Sequence, residues 1–202
     1  MTVTGLRGFY AVLDREDEAL ATALAAHACA LQIRLKPGGA DVIARVARMA
    51  RPICRAAGIP LVINDRLDVA LAVGADGVHL GQTDLPLAAA RAVAKGRVFV
   101  GVSTHDLAQV AAACAGGADY LGYGPVFATR TKPNADPVQG LARLRAAVVA
   151  AGTTPVVAIG GITPAAAADL YATGVAALCA ISAVTDAPDV SDIARRLAPP
   201  GT

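Results

Sequence analysis

Two carboxylates, Asp65 and Asp84, each stand just beyond a short apolar run that breaks off into polar residues. Pro60-Leu61-Val62-Ile63 leads into Asn64-Asp65, and Gly77-Val78-His79-Leu80 leads into Gly81-Gln82-Thr83-Asp84. A buried parallel strand reads this way when its C-terminal end opens into a site. A helical stretch from Arg66 to Val73 separates the two runs, so consecutive strands would deliver both carboxylates to one rim. Paired Asp oxygens beside Asn64 and Gln82 suit a hard divalent cation, Mg2+ carrying a phosphate. Each Asp taken singly reads as the cap of the helix that follows it. Taken together, and with the residues upstream and downstream, they read as ligands.

The other polar residues at strand ends suit anions. Gln32, Arg34 and Lys36 follow one another at i, i+2 and i+4, which puts them on one face of a strand while Ile33 and Leu35 take the other. Three polar side chains on one inward face would be expensive without a ligand. Ser103 closes Gly101-Val102-Ser103, Thr129, Thr131 and Lys132 follow the next apolar run, and Gly160-Gly161 and Ile181-Ser182 end the last two. Two anion-binding sets result. Gly161, Ser182 and the threonines offer hydroxyls and backbone N–H groups suited to a monophosphate. Arg34, Lys36, Lys132, Ser103 and Asn64, around a metal on Asp65 and Asp84, suit a pyrophosphate: a bidentate Arg, point-charge Lys and a bridging divalent ion. No Cys, Ser or His stands in a nucleophile-plus-base arrangement, so covalent catalysis is not expected. His79, inward-facing near Asp84, has two open readings: proton work, or a hydrogen-bonding core histidine.

The elements that must hold these residues alternate. Apolar runs at 9–13, 30–35, 60–63, 77–80, 98–102, 120–124, 155–159 and 177–181 predict strands. Helices are predicted to begin near Asp17, Ala40, Arg66, Pro86, Asp106, Val138, Pro164 and Asp189. Pro52 falls inside the second helical stretch and is expected to kink or divide it. Gly74-Ala75-Asp76, Gly117-Ala118-Asp119 and Gly174-Val175-Ala176 recur just before strands, each Gly closing a helix. Eight βα units in 202 residues predict one (β/α)8 barrel domain over 1–202, with its site at the C-terminal strand ends. No G-x-G-x-x-G follows the first strand, which argues against an open doubly wound sheet. The connection 126–137 exceeds the usual ~2–6 residues of such loops and reads as a lid that touches substrate.

Composition narrows the class. The chain is 55% hydrophobic and 17% charged with a net charge of +2, which fits a buried globular domain and argues against nucleic acid as a partner. No apolar stretch approaches the ~18 uninterrupted residues of a membrane span, and Met1 to Tyr10 lacks a signal pattern. Cys29, Cys54, Cys114 and Cys179 are scattered with no Cys-x-x-Cys, so reduced thiols in a cytoplasmic protein are expected, not disulfides or zinc. Fifteen Arg stand against three Lys, and two of those, Lys36 and Lys132, sit at polar strand ends where a compact ammonium suits a phosphate oxygen. Oligomeric state is left open.

Six ordered motifs resemble those of the thiamine-phosphate synthase family. They are Leu31-Gln32-Ile33-Arg34-Leu35-Lys36, Ile63-Asn64-Asp65-Arg66, Val78-His79-Leu80-Gly81-Gln82-Thr83-Asp84, Gly101-Val102-Ser103, Gly124-Pro125-Val126-Phe127-Ala128-Thr129-Arg130-Thr131-Lys132 and Ala158-Ile159-Gly160-Gly161-Ile162. The resemblance covers essentially the whole chain. It implies a (β/α)8 TIM barrel of thiamine biosynthesis, a transferase joining hydroxymethylpyrimidine diphosphate to hydroxyethylthiazole phosphate. Thiamine monophosphate and pyrophosphate are the products and Mg2+ is required. It implies Asp65 and Asp84 as metal ligands, Arg34, Lys36, Asn64, Ser103 and Lys132 on the diphosphate, and Gln32 on the pyrimidine. Arg34, Lys36, Ser103 and Lys132 are the expected catalytic set. Thr129, Thr131, Gly161, Ile181 and Ser182 would surround the thiazole phosphate, and His79 would join the substrate-binding residues. Pyrophosphate would leave first and the thiazole nitrogen would capture a pyrimidine cation. Leu13, Leu35 and Thr83 depart from the family's usual residues, none of them at an expected ligand. The rival readings are a thiazole tautomerase-like paralogue and a non-catalytic phosphate-ligand-binding barrel.

Overall fold

Side chains alternate along every strand, and each direction meets an apolar layer. Phe9, Ala11 and Leu13 join Leu31, Ile33, Leu61, Ile63, Val78 and Leu80 in the layer beneath the helices. Tyr10 and Val12 join Ala30, Val62, Phe99, Tyr120 and Val157 in the layer inside. Strands buried on both faces read as near-continuous apolar runs, which is why the runs, and not a two-residue period, located them.

The computed structural model describes residues 5–36, 38–129 and 137–199. Within them β1 (Gly8–Leu13), β2 (Ala28–Ile33), β3 (Leu61–Asn64), β4 (Gly77–Leu80), β5 (Phe99–Thr104), β6 (Tyr120–Tyr123), β7 (Val156–Ile159) and β8 (Ala177–Cys179) close into one parallel barrel in sequence order. The helices are α1 (Glu18–Ala25), α2 (Ala40–Ala57), α3 (Leu67–Val73), α4 (Leu87–Ala94), α5 (Leu107–Ala115), α6 (Gly140–Ala151), α7 (Ala167–Tyr171), α8 (Ser182–Thr185) and α9 (Val190–Arg196). This is the (β/α)8 barrel that the alternation predicts. No helix among the described residues is long and apolar enough to cross a membrane.

The repeated Gly-Ala-Asp has a structural job. Gly74, left-handed at φ 65°, ends α3. Two residues on, the Asp76 carboxylate accepts the Leu61 N–H at 2.9 Å. The Asp76 N–H returns a bond to the Leu61 carbonyl at 2.9 Å, and its own carbonyl accepts from Phe99 at 3.0 Å. Asp119 repeats this at β5, accepting the Val100 N–H at 2.7 Å while Arg91 pairs with it at 3.1 Å. Ala176, in the third copy, keeps only the backbone bonds to Val156 and Gly8. Each copy clasps the N-terminal rim of the barrel, opposite the polar strand ends.

Four expectations change. Helix α2 runs undivided through Pro52, which lies on its exposed side, where a carbonyl without its donor can bond to water. Strand β2 stops at Ile33 and β8 at Cys179, two residues short each, although the Arg34 N–H still reaches the Leu13 carbonyl at 2.9 Å. Helix α6 starts at Gly140, not near Val138, because the N–H groups of Gln139 and Gly140 are held by the carbonyls of Pro125 and Val126 at 2.9 Å. The sequence reading missed α8 altogether. At four residues its composition is too brief for a helical period to register.

The clasp can be tested at Asp119. Replacing it with Ala leaves the strand-opening N–H of Val100 without its acceptor, a loss of about 1–3 kcal/mol. Urea unfolding of Asp119→Ala should move to a lower midpoint with the slope unchanged, and an unshifted midpoint would remove the clasp from the account.

Candidate active site

The C-terminal strand ends surround a cavity of about 720 Å3, ample for small ligands. Gln32, Arg34, Lys36, Asn64, Asp65, His79, Asp84 and Ser103 line it from β2 to β5. Thr129, Gly161, Ile181 and Ser182 line it from the other half of the barrel. Twelve of the expected residues are thus brought together. Thr131 and Lys132 lie outside the described residues, as does most of the expected lid.

Neither acidic residue caps a helix. The N-cap positions of α3 and α4 are Arg66 and Pro86, both without a side-chain cap bond. Asp65 instead takes a left-handed backbone, φ 62°, rare outside glycine. Its N–H is held by the His79 carbonyl at 2.7 Å. Asp84 closes a turn by accepting the Gly81 N–H at 2.7 Å. Burial pushes the Asp84 carboxyl above the usual carboxylate range, and the neighbouring Asp65, within hydrogen-bonding reach, pushes the same way. Two carboxylates that repel are relieved by a cation between or beside them. Here Lys36 supplies it, its Nζ 3.1 Å from Asp65. The sequence reading had aimed Lys36 at the diphosphate; the fold ties it first to the acid.

Among the described residues no three His, Cys, Asp or Glu gather into a closed metal cage. A donor set of two carboxylates leaves most of an octahedral shell to water and ligand oxygens, the habit of Mg2+ and not of zinc. The pair fits that ion.

Arg34 faces the cavity half-buried, and its guanidinium has no hydrogen-bond or ion-pair partner among the described residues. A sheltered, unpaired guanidinium is an anion site in waiting.

Below the rim the inner polar atoms form a continuous chain. Gln32 Nε2 donates to the Tyr10 hydroxyl at 2.9 Å, and Tyr10 meets the Tyr120 hydroxyl at 2.8 Å. Tyr120 in turn meets His79 Nδ1 at 2.8 Å, and His79 Nε2 meets Ser103 Oγ at 2.9 Å. This corrects one expectation: a Ser and a His do come within hydrogen-bonding distance. Nothing in the linear spacing of His79 and Ser103 announces the pair; adjacent strands β4 and β5 make it. Burial pushes the His79 imidazole down to about 4, with the Asp84 carboxylate opposing and Arg34 reinforcing the shift.

Gly160 and Gly161 serve packing as well as the mouth. A Cβ on Gly160 would lie 2.5 Å from that of Pro125, and one on Gly161 would lie 2.5 Å from the Ala128 carbonyl oxygen. The β7 loop therefore presses against the β6 loop, with Phe127 N–H on the Gly160 carbonyl at 2.9 Å. Gln82, grouped with the metal set by sequence, instead donates from its side chain to the Ser103 carbonyl. Tyr10, Tyr120, His105 and Asp186 line the cavity and were missed. Tyr10 shares its parity with Val12 and Tyr120 with Gly122, a signal available in the strand alternation.

The chain matches a family model described as thiamine monophosphate synthase over residues 9–184. It is similar to a thiamine-phosphate synthase of Chloroflexus aurantiacus, 46% identical over 175 residues, covering 87% of this chain and 80% of that one. A thiamine-phosphate synthase of Laribacter hongkongensis is 49% identical over 151 residues, 75% of this chain and 71% of that one. Among solved structures, a thiamine phosphate pyrophosphorylase from Pyrococcus furiosus superposes with a TM-score of 0.86 at 36% identity, covering 96% of this chain and 94% of that one.

The depressed basicity of His79 gives a pH signature. The unfolded chain takes up a proton here near pH 6.5, the folded chain only near 4. Between those values the unfolded state binds more protons, so the residue's contribution favours folding at higher pH and is lost as the pH falls through the window. An NMR titration should find no step for the His79 ring above pH ~5; a midpoint near ~6.5 would contradict the buried, hydrogen-bonded placement.

Proposed function

Because this chain belongs to the thiamine monophosphate synthase family, we propose that its cavity is where a pyrimidine diphosphate and a thiazole phosphate meet. The chain is a transferase: it condenses hydroxymethylpyrimidine diphosphate with hydroxyethylthiazole phosphate, giving thiamine monophosphate and releasing pyrophosphate. Neither the tautomerase reading nor the non-catalytic binder is favoured by these relatives.

One observation carries the assignment of roles: a pair of mutually repelling carboxylates shares the cavity with a guanidinium that has no partner among the described residues. Asp65 and Asp84 would hold magnesium, which when bound would neutralise charge gathering on the departing pyrophosphate. Lys36, on Asp65, would bring its ammonium to the same oxygens. Arg34 offers a planar fork to the diphosphate, with Asn64 and Ser103 beside it and Lys132 expected from its motif. Gln32, fixed by Tyr10 at the cavity floor, suits the edge of the pyrimidine. Thr129, Gly161, Ile181 and Ser182, at the other half of the mouth, would take the thiazole phosphate, with Thr131 expected from its motif. His79 then belongs with the substrate-binding residues through Ser103, not as an acid or base.

The bond that breaks joins the pyrimidine's exocyclic carbon to a diphosphate oxygen, whose electron pair leaves with pyrophosphate. The thiazole nitrogen supplies the pair that forms the new bond. Cations fixed where that charge grows stabilise the transition state more than the bound substrate. We further assign residues 1–202 to one functional domain, and the four free thiols among the described residues fit a reducing, cytoplasmic compartment.

Two variants test these roles. Asp84→Asn should keep its fold and lose most activity when Mg2+ is scarce. Undiminished pyrophosphate release by that variant at limiting metal would sink the metal assignment. Arg34→Ala should lower turnover about a hundredfold, the usual scale for a lost charge-stabilising donor. If only the Michaelis constant for the diphosphate rises, and salt erases the difference, Arg34 attracts an anion without assisting its departure.

A further inference from the structure

The Ser103–His79 contact admits two opposite chemistries. If Nε2 is bare, the ring can draw the Ser103 proton, and the pair is a nucleophile with its base. If Nε2 carries the proton, the ring donates to Ser103, and the serine's own hydrogen is left for the cavity. We infer that Tyr10 and Tyr120 are positioning residues that decide this: they hold His79 as the Nε2–H tautomer and so keep Ser103 a hydrogen-bond donor toward substrate.

The inference follows from counting protons. The Gln32 amide nitrogen can only donate, so Tyr10 oxygen accepts there. The Tyr10 hydroxyl has one proton and, among the described residues, one further partner, Tyr120. Tyr120, having accepted, sends its own proton to its remaining partner, His79 Nδ1. A neutral ring whose Nδ1 accepts bears its proton on Nε2, which points at Ser103 Oγ. Running the chain backwards would strand the Tyr10 proton in an interior where Tyr10 and Tyr120 are 2% and 1% exposed. A charged ring fares no better, since an Nδ1 proton would confront the one on Tyr120. The rings have little freedom to escape this order. Tyr120 lies 5.8 Å from Tyr10, 5.4 Å from His79 and edge-on to Phe99 at 6.1 Å, centroid to centroid. It fits only because residue 101 is glycine: a Cβ there would sit 2.1 Å from its ring.

With its oxygen occupied by the imidazole, Ser103 cannot pass its proton to His79 and forms no covalent intermediate. Its hydroxyl serves an acceptor on the bound pyrimidine diphosphate. That last step rests on the function proposed above; the tautomer does not.

The deciding measurement uses the free, 15N-labelled protein at neutral pH, reading long-range 1H–15N correlations at the His79 ring. A proton on Nε2 with a bare Nδ1 is expected. A proton on Nδ1, or a mixture of tautomers, overturns the inference whatever the enzyme's activity. In Tyr120→Phe the ring should lose its single tautomer. Turnover should fall roughly tenfold, as for one lost hydrogen bond, with a smaller change in the Michaelis constant for the pyrimidine diphosphate. An unaltered ring spectrum, or unaltered turnover, in that variant removes Tyr120 as the determinant. Should Tyr120→Phe fail to fold, the wild-type spectrum still decides the tautomer. Absence of synthase activity in the wild type would bear on the proposed function alone.

Discussion

The interior of a closed eight-stranded barrel is a packed core, so each polar group that enters it must be met by another. Among the described residues no buried side-chain nitrogen or oxygen lacks a partner. Leaving one phenol or imidazole unpaired there would cost about 1–3 kcal/mol, and a chain of bonds in a low-dielectric interior stiffens all its members. The Gln32–Tyr10–Tyr120–His79–Ser103 sequence satisfies that constraint across five strands at once. It closes the barrel floor and fixes the side chains from which the cavity rises.

His79 links that floor to the charged rim. Its ring holds Ser103, while its backbone carbonyl holds the Asp65 N–H at 2.7 Å. The second contact matters because a left-handed aspartate is strained by roughly 1–2 kcal/mol. Strand pairing of Asn64 with His79 keeps the bond in place, and the strain turns the Asp65 carboxylate into the mouth beside Asp84. Acid and cation then coexist at short range, with Lys36 on Asp65 and Arg34 facing open space. A mouth of mixed charge like this favours a ligand that brings both signs, such as a metal with a diphosphate.

Much of this was legible in order along the chain. Eight apolar runs gave the barrel, because parallel strands buried on both faces cannot be written otherwise. The parity of Gln32, Arg34 and Lys36 gave one wall of the cavity, since alternation survives even where β2 stops early at Ile33. Asp65 and Asp84 stand beside each other, as their places after consecutive strand ends suggested. Their status as helix caps, open in the sequence, is excluded only by the observed N-caps at Arg66 and Pro86.

Residue types and spacing by themselves thus determined the strands and the rim to which each polar residue belongs, and the resemblance of six ordered motifs gave the family. What they could not determine is which side chain finds which. The Lys36–Asp65 pair, the Ser103–His79 contact and the Tyr10–Tyr120 bond join residues up to 110 positions apart. Such pairings depend on barrel closure, which brings β1 against β8 and lets β1 and β6 face each other across the interior. Alternation along a strand encodes a direction, in or out. Only the shared, packed interior converts that direction into a partner, and the partner decides whether a serine attacks or donates.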